Sequence, residues 1–242
     1  MEIDRRINTS PQLLARIVGV LYLVIIVGGV FDEAFVRERV IVASDAGATA
    51  SNLLQMATLW RFSSALEVFM LTCAVLMAWI MWILLRPVSR DLAWLATFFH
   101  LVAIGIEASN ELRLQEAMLP LGDAKYLAAF SPEQLHALTS LTLRAYGRGF
   151  GIALIFFAGF CLVAGYMIFR SRFLPRALGV LMAIAGVCYI VNSYAYIAAP
   201  KLAALLYPAI LLGPLVGESA LCLWLLVKGV DRGEWERATA AP

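Results

Sequence analysis

Long apolar runs separated by short polar stretches recur along the chain, and that pattern predicts helices that cross a membrane. A helix satisfies its backbone amides within itself, and about 20 residues of it cover a hydrocarbon core. Six stretches reach that length: Leu14 to Ala34, Ser63 to Leu85, Leu92 to Leu112, Gly147 to Phe169, Pro175 to Ala198 and Tyr207 to Lys228. Rings that favour the headgroup level stand near several ends: Trp60, Trp82, Trp94, Phe173, Tyr196, Tyr207 and Trp224. The expected fold class is all-α, an integral membrane bundle of six transmembrane helices in one domain, residues 14–230. Residues 1–13 are expected as a cytoplasmic N-terminal segment and 231–242 as a cytoplasmic C-terminal tail. The run Ile17 to Phe31 after Arg5, Arg6 and Arg16 has the look of a secretory signal. Asp32-Glu33 follows it at once with no small-residue cleavage site, so it reads as a retained first span.

The two long connections carry helix signals of their own. Ser44-Asp45 precedes Ala46, Ala48, Ala50, Leu53 and Leu54, an N-cap before a short helix leading into span two. Ser131-Pro132-Glu133-Gln134 offers a cap, a proline at the first helical position and a capping-box glutamine, with Leu135, Leu138 and Leu141 following at helical spacing. Spans two and four should therefore project outward as helices and form a small extracytoplasmic helical cap.

Composition agrees with the pattern. The chain of 242 residues is 62% hydrophobic and only 15% charged, at a mean hydropathy of +0.83, outside the usage of soluble domains. A net charge of +2, evenly scattered, gives no nucleic-acid surface. Its distribution sets the direction. Arg5, Arg6, Arg16, Arg86, Arg90, Arg170, Arg172, Arg176, Lys228, Arg232 and Arg237 lie on one side, in short loops and at the termini. The remaining cations are diluted among acidic residues in the long connections. The positive-inside rule then places both termini in the cytoplasm, with the protein a multi-pass component of the cell (inner) membrane.

Small residues predict where helices touch. Gly147-x-x-x-Gly151, continued by Ala158, and Gly179-x-x-x-Ala183, continued by Gly186, put small side chains on one face. Gly147-x-Gly149-x-Gly151 opens an apolar span with no preceding strand, which excludes a nucleotide-binding turn. Arg16-x-x-Gly19 and Arg176-x-x-Gly179 echo each other, a snorkelling arginine above a packing face rather than a repeat. Cys73, Cys161, Cys188 and Cys222 all fall in apolar runs, without the spacing of a disulfide or zinc framework, and read as packing residues.

Ionisable groups inside a bilayer are costly and need partners or a watery cavity, which makes them the candidate chemistry. Glu218 lies near the middle of span six and His100 near the middle of span three; Glu67, Glu107, Asn110 and Asn192 lie in outer halves of their spans. Arg144 and Arg148 stand at the outer mouth of span four. Helical geometry aligns His100, Glu107 and Glu111 on one face, and Tyr189, Asn192, Ser193 and Tyr196 on another. Pro208, Gly213, Pro214 and Gly217 precede Glu218, and Pro214 cannot donate to the Ile210 carbonyl, so a loosened helix is expected one turn from the carboxyl. These features point to a polar cavity walled by spans two, three, five and six, with Glu218 as a proton- or cation-binding group and His100 as its hydrogen-bond or relay partner. The competing reading makes the same polar groups interhelical hydrogen bonds that set register. Two histidines in all are too few for a di-iron cluster, a bis-histidine haem or a histidine-rich zinc site, and no nucleophile has an evident base. No metal, cofactor or catalytic residue is expected, and an enzyme is the least supported class.

Ala15-Arg16-Ile17-x-Gly19-Val20-Leu21-Tyr22-Leu23, Arg86-Pro87-Val88, the stretch Gly165 to Arg176, Asn192-Ser193 and Gly217-Glu218-x-x-Leu221-Cys222-Leu223-Trp224-Leu225 together resemble the uncharacterised bacterial membrane-protein family labelled domain of unknown function 4386. The resemblance runs from about Leu14 to Val230. It implies a multi-span bacterial membrane protein and no activity. The expected function is proton- or cation-linked small-molecule binding or transport through the polar cavity. The alternative is a non-catalytic membrane component that binds a partner protein. The expected partners are the lipid bilayer and a small molecule, proton or cation, with no nucleic acid. The first reading needs a water-reachable cavity at Glu218 or His100, and the second an exposed apolar patch on the cap.

Overall fold

The computed structural model describes residues 10–240. Arg5 and Arg6, counted above for orientation, and most of the segment 1–13 lie outside them. The fold is all-α, with no strand among the described residues. Helix α1, Pro11–Phe31, runs on without a break into a π-helical turn, Asp32–Arg37, and a last turn, Glu38–Val40. There follow α2, Ala46–Gln55; α3, Ala57–Leu85; α4, Arg90–Glu116; and α5, Pro132–Arg170. The chain closes with α6, Arg176–Ala198; α7, Pro200–Leu206; α8, Leu212–Val227; and α9, Arg232–Ala240. Six helices are long and apolar enough to cross a membrane: α1 with its extension, α3, α4, α5, α6, and α8 with the 3-10 turn before it. This is a multi-pass membrane protein. Large apolar side chains such as Val27, Phe69, Phe98, Val187 and Val216 lie exposed on these helices, where lipid is their solvent.

Several local expectations are met by the structure. The Asp45 carboxylate accepts from the Ala48 amide at 2.9 Å and starts α2. Ser131 Oγ accepts from the Gln134 amide at 3.3 Å, while Gln134 Oε1 accepts from the Ser131 amide at 2.8 Å. That reciprocal capping box begins α5 well before its apolar part, and α5 spans 39 residues as a result.

Other expectations are corrected. The first span does not end near Ala34, because the π-turn carries the helix on to Val40. The last span runs from Ala209 to Val227, within two residues of the expected limits at each end. It begins with a 3-10 turn, Ala209–Leu211, so Pro214 stands third in α8. There its missing N–H is one of the first-turn donors that has no helical acceptor in any case. Pro214 thus helps to start the helix and does not loosen its middle. Trp60 and Phe173 are buried and belong to no headgroup belt. The C-terminal tail is a helix: Asp231 Oδ1 accepts from the Glu234 amide at 3.0 Å, and Trp235 Nε1 donates to the Leu84 carbonyl at 3.0 Å.

The chain forms two compact units. One comprises the described parts of Met1–Leu23, Ala74–Ala103 and Leu154–Pro242, and the other Val24–Cys73 and Ile104–Ala153. In the first, α6 packs along α8 and lies against the end of α5. A Cβ at Gly179 would stand 2.5 Å from the Gly165 carbonyl oxygen and 2.6 Å from the Phe169 amide nitrogen. One at Gly19 would stand 2.6 Å from the Leu226 nitrogen. The two echoing Arg-x-x-Gly motifs therefore both mark a backbone-to-backbone approach. In the second unit Val36, Val40, Leu53, Trp60, Leu114, Ala117, Leu143 and Tyr146 make the core. Trp60 Nε1 donates to the Leu114 carbonyl at 3.0 Å.

Gly179→Leu is expected to cost about 1–3 kcal/mol or more by overpacking, read as a lowered midpoint of thermal unfolding in detergent. Gly105→Ala, whose new methyl meets nothing within 4 Å, should leave that midpoint unchanged or raise it.

Candidate functional site

The polar residues singled out in the sequence fall into two groups, one in each unit. In the first unit Glu218 on α8 holds two phenols: Tyr22 Oη donates to Oε2 at 2.9 Å and Tyr189 Oη to Oε1 at 2.5 Å. The carboxyl thereby joins α1, α6 and α8 through both of its oxygens. Cys161, fully buried on α5, stands close to it. His100 is not its hydrogen-bond partner. The imidazole is buried, stacks on Phe160 with centroids 4.4 Å apart, and lies 5.3 Å from Phe157. Phe157 in turn meets the Tyr189 ring edge-on at 5.7 Å. His100 Nδ1 has no hydrogen-bond partner among the described residues. Asn192 is half-buried on α6, three residues beyond Tyr189. Tyr196, expected on the same inward face, is exposed. Two open grooves in this unit, of about 410 and 540 Å³, are lined by residues other than Glu218 and His100.

The second unit holds the denser cluster. Arg37, at the end of the π-turn, engages three carboxylates: Nε meets Asp32 at 2.5 Å and Glu33 at 3.1 Å, and Nη2 meets Glu67 at 3.2 Å. Nη1 donates to Tyr146 Oη at 2.5 Å. Nη1 and Nη2 close hydrogen bonds, while Nε lies against the Asp32 and Glu33 carboxylates as an ion pair without closing one; a planar guanidinium spreads over several partners in this way and a lysine ammonium does not. Ser63 Oγ donates to Asp32 Oδ1 in a short hydrogen bond. Glu107 and Glu111, on α4, lie close enough to interact with the Arg37 charge. Glu111 is 2% exposed, and neither of its carboxyl oxygens closes a hydrogen bond, although Ser64 stands beside it. Asn110 Nδ2 donates to the Tyr146 carbonyl at 2.8 Å, and the side chain occupies the space that Gly149 leaves open. Arg144 ties α5 to the loop before α2 by donating to the Ala43 carbonyl at 2.7 Å, while Arg148 is exposed.

The π-turn builds this site. An i to i+5 ladder inserts one extra residue, and the turn sets Asp32, Glu33 and Arg37 to face one another. Tyr22, Asp32, Glu33, Arg37 and Tyr146 escape the sequence pattern as chemistry. Asp32-Glu33 reads there only as the end of an apolar run, and Arg37 as a loop charge. The usable signal is that apolar Ala34, Phe35 and Val36 continue the run between the charges. No group of three or more His, Cys, Asp or Glu among the described residues is arranged to hold a metal ion.

A family model described as a domain of unknown function, DUF4386, matches residues 17–229. The chain belongs to this family. No curated protein and no solved structure matches it. The DUF4386 match spans both clusters from Tyr22 to Glu218, and its description assigns no activity.

Removing the guanidinium leaves buried carboxyls uncompensated, a loss of about 3–5 kcal/mol for broken buried pairs. Arg37→Gln should accordingly lower the unfolding midpoint sharply, and Arg37→Gln with Glu67→Gln should recover part of the loss in a double-mutant cycle. Tyr22→Phe should cost far less, about 0.6 kcal/mol on average for a polar contact between membrane helices.

Proposed function

We propose that this protein binds or transports a small molecule in a proton- or cation-linked manner, and that the carboxyl cluster around Arg37 is the coupling site. One observation carries the reading. Asp32, Glu67 and Glu111 are buried, and Glu107 half-buried, about a single guanidinium. One positive charge balances one carboxylate, and in a membrane-embedded fold the surplus has to be balanced by protons or by a bound cation. Asp32 and Glu67 share Arg37 and also interact with each other, a pairing suited to holding one proton between two carboxyls. The π-turn beneath them adds support, since such turns recur at functional sites. Glu218, held by two phenols, serves in this reading as a second polar site or as a tie between helices. In this reading residues 1–13 and 231–242 are cytoplasmic and the membrane is a bacterial inner membrane, a direction supported by the arginine distribution along the sequence alone.

A second reading rests on the cap. Leu119, Tyr126, Phe130 and Leu141 are exposed near its helices, a surface suited to a partner protein.

Thermal unfolding of the detergent-purified chain, across pH and a panel of monovalent cations, organic cations and metabolites, separates the possibilities. A ligand at about 100 times its dissociation constant should stabilise the wild type by roughly 2.7 kcal/mol. That shift should vanish in Glu67→Gln and Glu111→Gln and persist in Leu119→Gln/Tyr126→Gln. If the two carboxyl variants respond to every ligand and pH step as the wild type does, the cluster is structural and the proposal fails. Loss of a specific cross-linked neighbour from native membranes in Leu119→Gln/Tyr126→Gln would favour the partner reading.

A further inference from the structure

The groove of about 410 Å³ in the first unit is independent of both polar clusters. Its walls are the turn that follows α5, with Arg172 and Phe173, and the exit of α8, with Trp224 and Lys228. Each wall is held in place by backbone bonds. The Lys228 and Gly229 amides donate to the Trp224 carbonyl at 2.8 and 2.9 Å, and the Asp231 amide donates to the Phe173 carbonyl at 3.0 Å. Gly229 takes a φ of +72° to make that turn. Gln12 fastens it further, donating to the Lys228 carbonyl at 2.7 Å and accepting from the Val230 amide at 3.0 Å. Lys228 and Arg172 therefore project from a fixed concavity.

The charges there are unbalanced. Both cations are exposed, and neither closes an ion pair among the described residues. Asp231, the acidic residue lining the groove, caps α9 through Oδ1 and offsets one of the two cations, which leaves one positive charge in excess. Below the groove an exposed ridge of Leu223, Trp224 and Val227 runs along α8, a helix apolar enough to cross the membrane. An anion-seeking pocket that opens onto a lipid-facing ridge, with an indole between the two, has the chemistry of a phospholipid headgroup and its acyl chain.

We propose that this groove binds one anionic glycerophospholipid, its phosphate between Arg172 and Lys228 and one acyl chain along Leu223 and Val227. The lipid is the occupant in preference to free phosphate because the apolar ridge continues the pocket and inorganic phosphate has no use for it.

Native mass spectrometry of the detergent-purified full chain tests this, with dioleoyl phosphatidylglycerol, dioleoyl phosphatidylcholine and inorganic phosphate added separately. The expected result is one preferred phosphatidylglycerol adduct and a matching rise in the unfolding midpoint, absent with the other two. Arg172→Gln/Lys228→Gln should weaken that adduct about thirtyfold, the effect of two juxtamembrane charges. Arg16→Gln/Arg90→Gln removes the same charge elsewhere in this unit and should leave the adduct in place. Equal binding of phosphatidylcholine, an equal midpoint shift with phosphate alone, an undiminished adduct in the groove variant, or an equal loss in the control variant would each overturn the proposal. A groove variant that unfolds in phosphatidylcholine is replaced by Arg172→Lys/Lys228→Arg. These exchanges keep the charge and should keep the adduct, and its loss would count against phosphate recognition by charge.

Discussion

Hydrocarbon supplies no hydrogen bonds, so every polar group that this fold takes out of water has to find its partner within the protein. Backbone amides meet that demand inside helices, which is why the described residues form helices, turns and no strand. Side chains meet it by clustering. The Arg37 guanidinium, hydrogen-bonded to Glu67 and Tyr146 and ion-paired with Asp32 and Glu33, is the fullest case. Its partners come from the π-turn, α3 and α5, so a single compensated charge also joins three helices. The same demand accounts for Glu218, whose two oxygens each take a phenol from a different helix. Trp60, whose indole N–H reaches a backbone carbonyl, is a further case.

Where partners are incomplete, the structure is informative. Glu111 is buried with neither oxygen in a hydrogen bond, and His100 Nδ1 is likewise unmatched. Their settings differ. His100 lies among aromatic rings, where its imidazole acts as one more flat packing surface. Glu111 lies among other carboxyls and one guanidinium, the setting on which the proposed proton or cation coupling rests. That difference shifts the weight of the functional reading from Glu218 and His100 to the cluster around Arg37.

Close packing imposes the second constraint. With lipid as apolar as leucine, helices associate by fitting together, and Gly19 and Gly179 let backbones approach to distances that any side chain would prevent. Gly149 has a different use, because the space it leaves is filled by the Asn110 amide. The glycine repeat at the head of span four therefore matters at its middle member for a polar contact, a role that spacing does not reveal.

The number of spans, their approximate limits, the capped starts of α2 and α5 and the resemblance to DUF4386 are all legible in the order of residues along the chain. These depend on local composition and on hydrogen bonds between residues a few positions apart, and such interactions are written in order along the chain. Glu218, His100, Glu67, Glu107, Asn110 and Asn192 also stand out there as costly polar groups, because their cost is set by the run in which each sits. Which of them meet depends on how the helices pack. Tyr22 reaches Glu218 across 196 positions, and Arg37 reaches Tyr146 across 109. The π-turn that aims Arg37 adds one residue to a helical register for which Asp32–Arg37 carries no spacing signal, since its form is settled by the partners waiting on α3 and α5. A partner distant in sequence becomes a neighbour only through packing, and for this protein the candidate chemistry is made of such partners.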